Sequence, residues 1–229
     1  MNYLITGATS GLGNELFKNL SLNLSDTFYL ISKNESILNS DEFNKDNVKA
    51  YHANMRDIVK IQDVANNILR DSGNSIDVLI CNAAEGSFGG VHEVPTEDYI
   101  NNINTNFLSH LILIKSVYPH MKKKKFGHIV NISSGASIFG FTNTSSYSAS
   151  KSCMQILIES MYMENLKNNI HAKNIFPGLI DTDFDNKNKI YSKIDKIPIF
   201  KKRKKNEIAK KILTKIFSKK LNVFCQLNP

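Results

Sequence analysis

The apolar run Met1-Asn2-Tyr3-Leu4-Ile5 leads directly into Thr6-Gly7-Ala8-Thr9-Ser10-Gly11-Leu12-Gly13. A helical pattern with Leu12, Leu16, Phe17 and Leu20 on one face starts inside that glycine stretch. Few folds accept this order. A strand that turns through glycines into a helix aims free backbone N–H groups and the positive end of a helix dipole at one point, which suits a pyrophosphate. Gly7, Gly11 and Gly13 allow a tight turn and let the backbone approach an anion with no Cβ in the way.

The rest of the chain repeats the alternation. Apolar runs at Asn2–Ile5, Thr27–Ser32, Val48–Ala53, Ile76–Cys81, His128–Ser133, His171–Phe176 and Asn222–Gln226 read as strands. Helical patterns lie near Gly11–Leu22, Ile58–Arg70, Thr96–Met121, Tyr147–Leu166 and Asn206–Ser218. Strands alternating with helices predict an α/β fold, a doubly wound parallel sheet covered on both faces. Thr96, after Pro95, is the expected cap of its helix, with Glu97 and Asp98 favourably placed in the first turn. No repeat or linker divides residues 1–229, so a single domain is expected. One irregular segment, about 179–205, is too long for a routine connection and reads as a substrate loop.

At 229 residues the chain can bury a full core. No apolar run reaches bilayer-spanning length, and no basic and apolar leader precedes the glycine stretch, so no membrane partner and a cytoplasmic location are expected. Cys81, Cys153 and Cys225 are too few and scattered for a disulfide framework or a metal site. The net charge of +8, with Lys122 to Lys125 and Lys201 to Lys205 as patches, raises the question of nucleic acid. Arginine occurs only at Arg56, Arg70 and Arg203. A phosphate-reading surface favours arginine forks, so the patches read as solvated lysines and no nucleic-acid partner is expected.

Further motifs follow in order: Asn82-Ala83-Ala84, Asn106, Ser134, Tyr147 with Lys151, and Pro177-Gly178. With the glycine loop they resemble the short-chain dehydrogenase/reductase family, from the first strand to about Phe184, and more weakly over the helix near Asn206–Ser218. The resemblance implies a Rossmann-type sheet with a nicotinamide dinucleotide lying across the carboxyl ends of the strands. It places Gly7, Thr9, Ser10, Gly11, Leu12 and Gly13 at the pyrophosphate, and Asn54 and Met55 at the adenine. Family members carry an aspartate where Asn54 stands; its amide oxygen can still accept a hydrogen bond, and a turn-capping asparagine is the alternative. Asn82, Ala83 and Ala84 match a stretch passing close to the adenosine ribose, with Ala84 in place of a glycine. Glu85, next in the chain, reads as solvent-facing, with a substrate contact as the alternative. Pro177, Gly178, Ile180 and Thr182 match the segment that anchors the nicotinamide amide.

The end of the second strand, Leu30-Ile31-Ser32-Lys33-Asn34, has no acidic residue to take both ribose hydroxyls of NAD. Ser32 and Lys33 suit the 2′-phosphate of NADP, so NADP (NADPH) is expected over NAD, although Ser10 stands where NADP-preferring relatives often have a second basic residue. Under the resemblance Tyr147 is the general acid for reduction of a carbonyl, or the base for oxidation of an alcohol. A phenol titrates near 10 unperturbed and needs help near neutrality. Lys151, one helical turn on, would favour the phenolate and bond the nicotinamide ribose. Ser134 lies thirteen positions before the tyrosine (147 − 134), the family separation, and would hold the substrate oxygen. Asn106 matches the asparagine that holds a water linking the lysine to solvent.

Substrate identity is less legible. Phe139, Phe141, Asn143 and Thr144 are expected to line part of the pocket. Lys187, Lys189, Lys193 and Lys196 read equally as a cationic lid on the 179–205 loop, suited to a phosphorylated, carboxylated or carrier-tethered carbonyl, or as the chain's general lysine bias. Met121 to Lys125 followed by Gly127 to Val130 also resembles ketoacyl reductases of the family, which meet an acyl carrier protein. A homodimer through Thr96–Met121 and Tyr147–Leu166 is expected. A catalytically silent cofactor-binding regulator is the alternative, and the retained Asn106, Ser134, Tyr147 and Lys151 argue against it.

Overall fold

The computed structural model describes residues 1–182 and 202–225. Seven parallel strands form one sheet: β1 (Asn2–Thr6), β2 (Thr27–Ser32), β3 (Val48–His52), β4 (Val78–Cys81), β5 (Gly127–Ile132), β6 (Ile170–Phe176) and β7 (Asn222–Phe224). Their order is β3-β2-β1-β4-β5-β6-β7. β1 pairs with both β2 and β4, so the chain winds outward to β3 and then crosses back. That reversal opens a crevice beyond the carboxyl ends of β1 and β4, where open α/β sheets bind ligands.

The central strands β1, β2 and β4 are predominantly apolar because both faces are covered. Tyr3, Ile5, Phe28, Leu30, Val78 and Ile80 point to one face, and Leu4, Tyr29, Ile31, Leu79 and Cys81 to the other. The first face packs on α1 (Gly11–Leu20), through Leu12, Leu16 and Phe17, and on α7 (Lys205–Ile216), through Ile208, Ala209, Ile212 and Ile216. The second packs on α3 (Ile58–Asp71), α5 (Ser109–Lys124) and α6 (Ser145–Glu164). Asp57 caps α3 by accepting from the Lys60 N–H at 2.9 Å. A four-residue helix, α2 (Glu35–Leu38), capped by Asn34, carries too few residues to show a period in the sequence.

The long helix expected over Thr96–Met121 is three pieces. α4 (Thr96–Ile103) passes into a single π turn, Asn104–Leu108, and then into α5. Thr96 is not the cap: Pro95 holds that position and Thr96 is the first helical residue, so only the acidic first turn of Glu97 and Asp98 is as expected. α5 ends at Lys125, which is left-handed with φ 55°. The lysines Lys122 to Lys124 thus fall at a helix carboxyl end, where the dipole favours them. Lys124 is tied down further by the Ile76 carbonyl at 2.9 Å and the Asp77 carboxylate at 2.5 Å.

The two ends of the expected substrate loop meet. Ile180 and Arg203 form a parallel bridge, with Asp181 N–H donating to the Arg203 carbonyl at 2.9 Å and Arg203 N–H to the Leu179 carbonyl at 3.1 Å. Lys187, Lys189, Lys193 and Lys196 lie outside the described residues, as does the expected end of the last strand at Gln226.

Candidate active site

The crevice holds a cavity of about 390 Å³. Its wall collects residues from five separate stretches: Gly7 to Leu12, Ile31 to Asn34, Ala53 to Met55, Asn82 to Glu85, and Ser133 to Ala136. Ile37, Thr105, Ile132, Phe141, Tyr147, Lys151 and the strap Pro177 to Ile180 with Thr182 complete it. Every proposed cofactor contact lines this wall except Gly13.

Gly13 serves the loop from behind. A Cβ there would lie 2.2 Å from the Gly7 carbonyl oxygen and 2.4 Å from Asn82 Nδ2, so the helix and turn can touch only through a glycine. Gly7 is left-handed at φ 68°, and Gly11 at φ 52°. Asn82 braces the turn by donating Nδ2 to the Thr6 carbonyl at 3.0 Å. Its own N–H, and that of Ala83, donate to Thr6 Oγ1, each at 3.0 Å. With both lone pairs used, the Thr6 hydroxyl donates to His110 Nε2 at 2.9 Å. His110 then carries its proton on Nδ1, facing the Asn106 carbonyl at 3.3 Å. Burial, and then the nearby Lys151, push the imidazole down to about 3, which fits a neutral ring.

At the far end, Ser32 Oγ and Thr9 Oγ1 lie 2.6 Å apart, and Ser32 also accepts from the Asn34 N–H. One proton of that hydroxyl pair is spent within it and the other can face a ligand. Lys33 is exposed on the same wall. Among the described residues Glu85 is the only carboxylate lining the cavity. Asn54 is exposed, and its Oδ1 accepts from the Arg56 N–H at 3.1 Å, so it caps its turn; one lone pair remains.

Glu85 is not solvent-facing as expected. Arg56 Nε reaches both its carboxylate oxygens at 3.0 and 2.9 Å, and Thr105 Oγ1 donates to one at 2.9 Å. Its backbone is clasped by Asn106, which accepts the Glu85 N–H at 2.9 Å and donates to the Glu85 carbonyl at 2.7 Å. Asn106 is buried behind the wall and does not line the cavity. The sequence carried no signal for these partners, because Arg56, Glu85 and Thr105 meet only through the sheet's crossover.

At the other end Tyr147 and Lys151 stand one turn apart on α6, and both are buried. Lys151 Nζ donates to the Ile132 carbonyl at 2.9 Å, and burial lowers its amine to about 8. Tyr147 packs on Phe88 with ring centroids 5.6 Å apart. Ser134 Oγ accepts from the Ala136 N–H at 3.2 Å, which leaves its own proton to donate into the cavity. Of the four expected pocket residues, Phe141 lines the cavity. Phe139 is 68% exposed, Asn143 is left-handed at φ 62°, and the Thr144 hydroxyl is engaged with Phe141 and Ser148. None of these three is on the cavity wall.

The strap folds over the glycine turn: a Cβ on Gly11 would sit 3.7 Å from the Thr182 methyl. A turn that only glycines permit, a hydroxyl pair beside a lysine, and a serine, a tyrosine and a lysine at the opposite end fit an elongated dinucleotide. No helix among the described residues is long and apolar enough to cross a membrane, and no cluster of metal-ligating side chains occurs among them.

Sheet order and crevice define a doubly wound, Rossmann-type α/β protein. The model of the short chain dehydrogenase family matches residues 2–191, and the chain belongs to that family. Bovine retinol dehydrogenase 8 is 28% identical over 80% of this chain and 60% of its own length. A 3-ketodihydrosphingosine reductase of Bacteroides thetaiotaomicron is 32% identical over 81% of this chain and 66% of its own. The chain therefore spans less than two thirds of either relative. Among solved structures, ElxO with NADP bound superposes with a TM-score of 0.82 at 26% identity, covering 98% of this chain and 96% of that one.

Proposed function

We propose that this chain is an NADP-preferring oxidoreductase that moves a hydride between a nicotinamide cofactor and a small carbonyl or alcohol, at the cavity described above. The observation that carries it is the convergence of Ser134, Tyr147 and Lys151 on one wall with the glycine turn and the carboxyl end of β2. When bound, the nicotinamide supplies or takes the hydride. Gly7 to Leu12 would hold its pyrophosphate and Ser32 and Lys33 the adenosine end, with the positive side chain suited to a 2′-phosphate. Pro177, Gly178, Ile180 and Thr182 would hold the carboxamide, which fixes the ring face.

The chain's own groups handle the proton. Ser134 Oγ–H donates to the substrate oxygen and orients it. Tyr147 gives that oxygen its proton in reduction and takes it back in oxidation. Lys151, charged below its lowered pKa of about 8, favours the phenolate and so helps the phenol work near neutrality. The chain is expected to act in the cytoplasm as a homodimer, with the segment over residues 179–205 as its substrate loop.

A fluorescence titration of the purified protein with NADPH and, in parallel, NADH tests the reading. Tighter NADPH binding is the expected result. Failure to bind either nucleotide would overturn it and favour a chain that has lost the cofactor.

A further inference from the structure

α4 and the π turn meet α6 along a buried polar seam. Asn102 Nδ2 donates to Ser146 Oγ at 2.9 Å, and Asn106 Nδ2 to Ser150 Oγ at 2.8 Å. The asparagines are four residues apart on one side and the serines four apart on the other, so the two rungs repeat at one helical turn. Ser146 immediately precedes Tyr147, and Ser150 immediately precedes Lys151. All four rung residues are buried.

The first rung reaches further. Ser146 Oγ accepts from Asn102 and donates to the Ser87 carbonyl at 2.8 Å, so its hydroxyl is held from two sides. Ser87 is followed by Phe88, the ring that packs on Tyr147. The first turn of α6 has no side-chain cap, since the Thr144 hydroxyl bonds Phe141 and Ser148 instead. Asn102, with Tyr99 bonding Ser145 at 2.6 Å, ties α4 to the first turn of α6, and through Ser146 it alone of the two reaches the segment that carries the Phe88 ring. Asn102 itself does not line the cavity.

We propose that Asn102 is a positioning residue for Tyr147, acting through Ser146 and, beyond it, Ser87. The proposal rests on the oxidoreductase reading of Tyr147. Breaking the rung lets the phenol drift from Lys151, and a phenol further from an ammonium ionises less readily.

The test is a near-ultraviolet phenolate titration of full-length protein with NADP present, with the Tyr147→Phe trace subtracted to isolate the one phenol. Asn102→Leu and Ser146→Ala are each expected to raise its midpoint by about half a unit, roughly threefold in ionisation constant. The double variant should go no further than either single one, because both break the same rung. NADPH affinity should stay within about twofold in all three, which general unfolding would not allow. Should Asn102→Leu fail to fold, Ser146→Ala, which removes one hydroxyl, carries the test. Folded variants that titrate with the wild type would overturn the rung alone. A wild-type Tyr147 midpoint no lower than an ordinary tyrosine would overturn the reading of Tyr147 as well.

Discussion

Around Tyr147 the proposed chemistry draws on side chains from separate stretches: Phe88 against the ring, Ser134 on the same wall of the cavity, and Lys151 one turn along. Replacing Tyr147 by Phe keeps the ring packing and removes the proton. Turnover should fall by about a hundredfold or more while NADPH affinity stays nearly intact; steady-state kinetics with parallel binding would show it, and retained activity would remove the phenol from the mechanism. At the opposite end Lys33→Asp exchanges an attraction for a repulsion toward a 2′-phosphate. The ratio of NADPH to NADH affinity should drop by about tenfold, and an unchanged ratio would take Lys33 out of the cofactor argument. Tyr147, Lys151 and Ser134 could be grouped from the sequence only through the family resemblance and its separations, and the fold brings them to one cavity. Glu85 was not: its partners Arg56 and Thr105 lie 29 and 20 residues away and meet it only through tertiary contacts.

Among the elements, the strand–turn–helix unit at the amino end was the most legible, since glycine spacing alone implied it. Its tolerance was not. Gly13 sits within α1, where alanine would ordinarily stabilise a helix by about 0.5–1 kcal/mol. The contact with the Gly7 carbonyl opposes that, and overpacking of this kind costs about 1–3 kcal/mol. Gly13→Ala should therefore lower the melting temperature, measured by circular dichroism, and a raised one would contradict the contact. The break between α4 and α5 was hidden for a different reason. A π turn is a single extra residue in one turn, which residue types alone do not mark, yet it brings Asn104, Thr105 and Asn106 into reach of Arg56, Glu85 and Ser150. Such turns concentrate at functional sites.

On the scale of the whole molecule, the end of the sheet away from the cavity carries its own titration. His128 and His171 pair in register at the start of β5 and β6, beside the buried Lys173. Lys173 Nζ donates to the carbonyls of Ile216 and Ser218 at the end of α7, so β6 anchors that helix. Burial first, and then Lys173, lower the His128 imidazole from 6.5 to about 4, and His171 is lowered by the same two causes. A depressed imidazole favours the neutral form in the fold, so the unfolded chain binds more protons below pH 6.5. The stability that His128 contributes is complete above pH 6.5 and is lost as pH falls through about 4. Thermal melts across that window should show a falling midpoint, and His128→Phe should flatten the slope; an identical slope would exclude this histidine.

The alternation of apolar runs and helical patterns determined the layers, and the glycine spacing determined where an anion could sit, because both are set by local backbone sterics and side-chain period. The sheet order, the crevice at the β1–β4 reversal and the pairing of Asn102 with Ser146 were decided only in three dimensions. Hydrogen bonds between residues far apart in the chain leave no period for a sequence to carry. They exist once crossover connections and packing have brought two surfaces together.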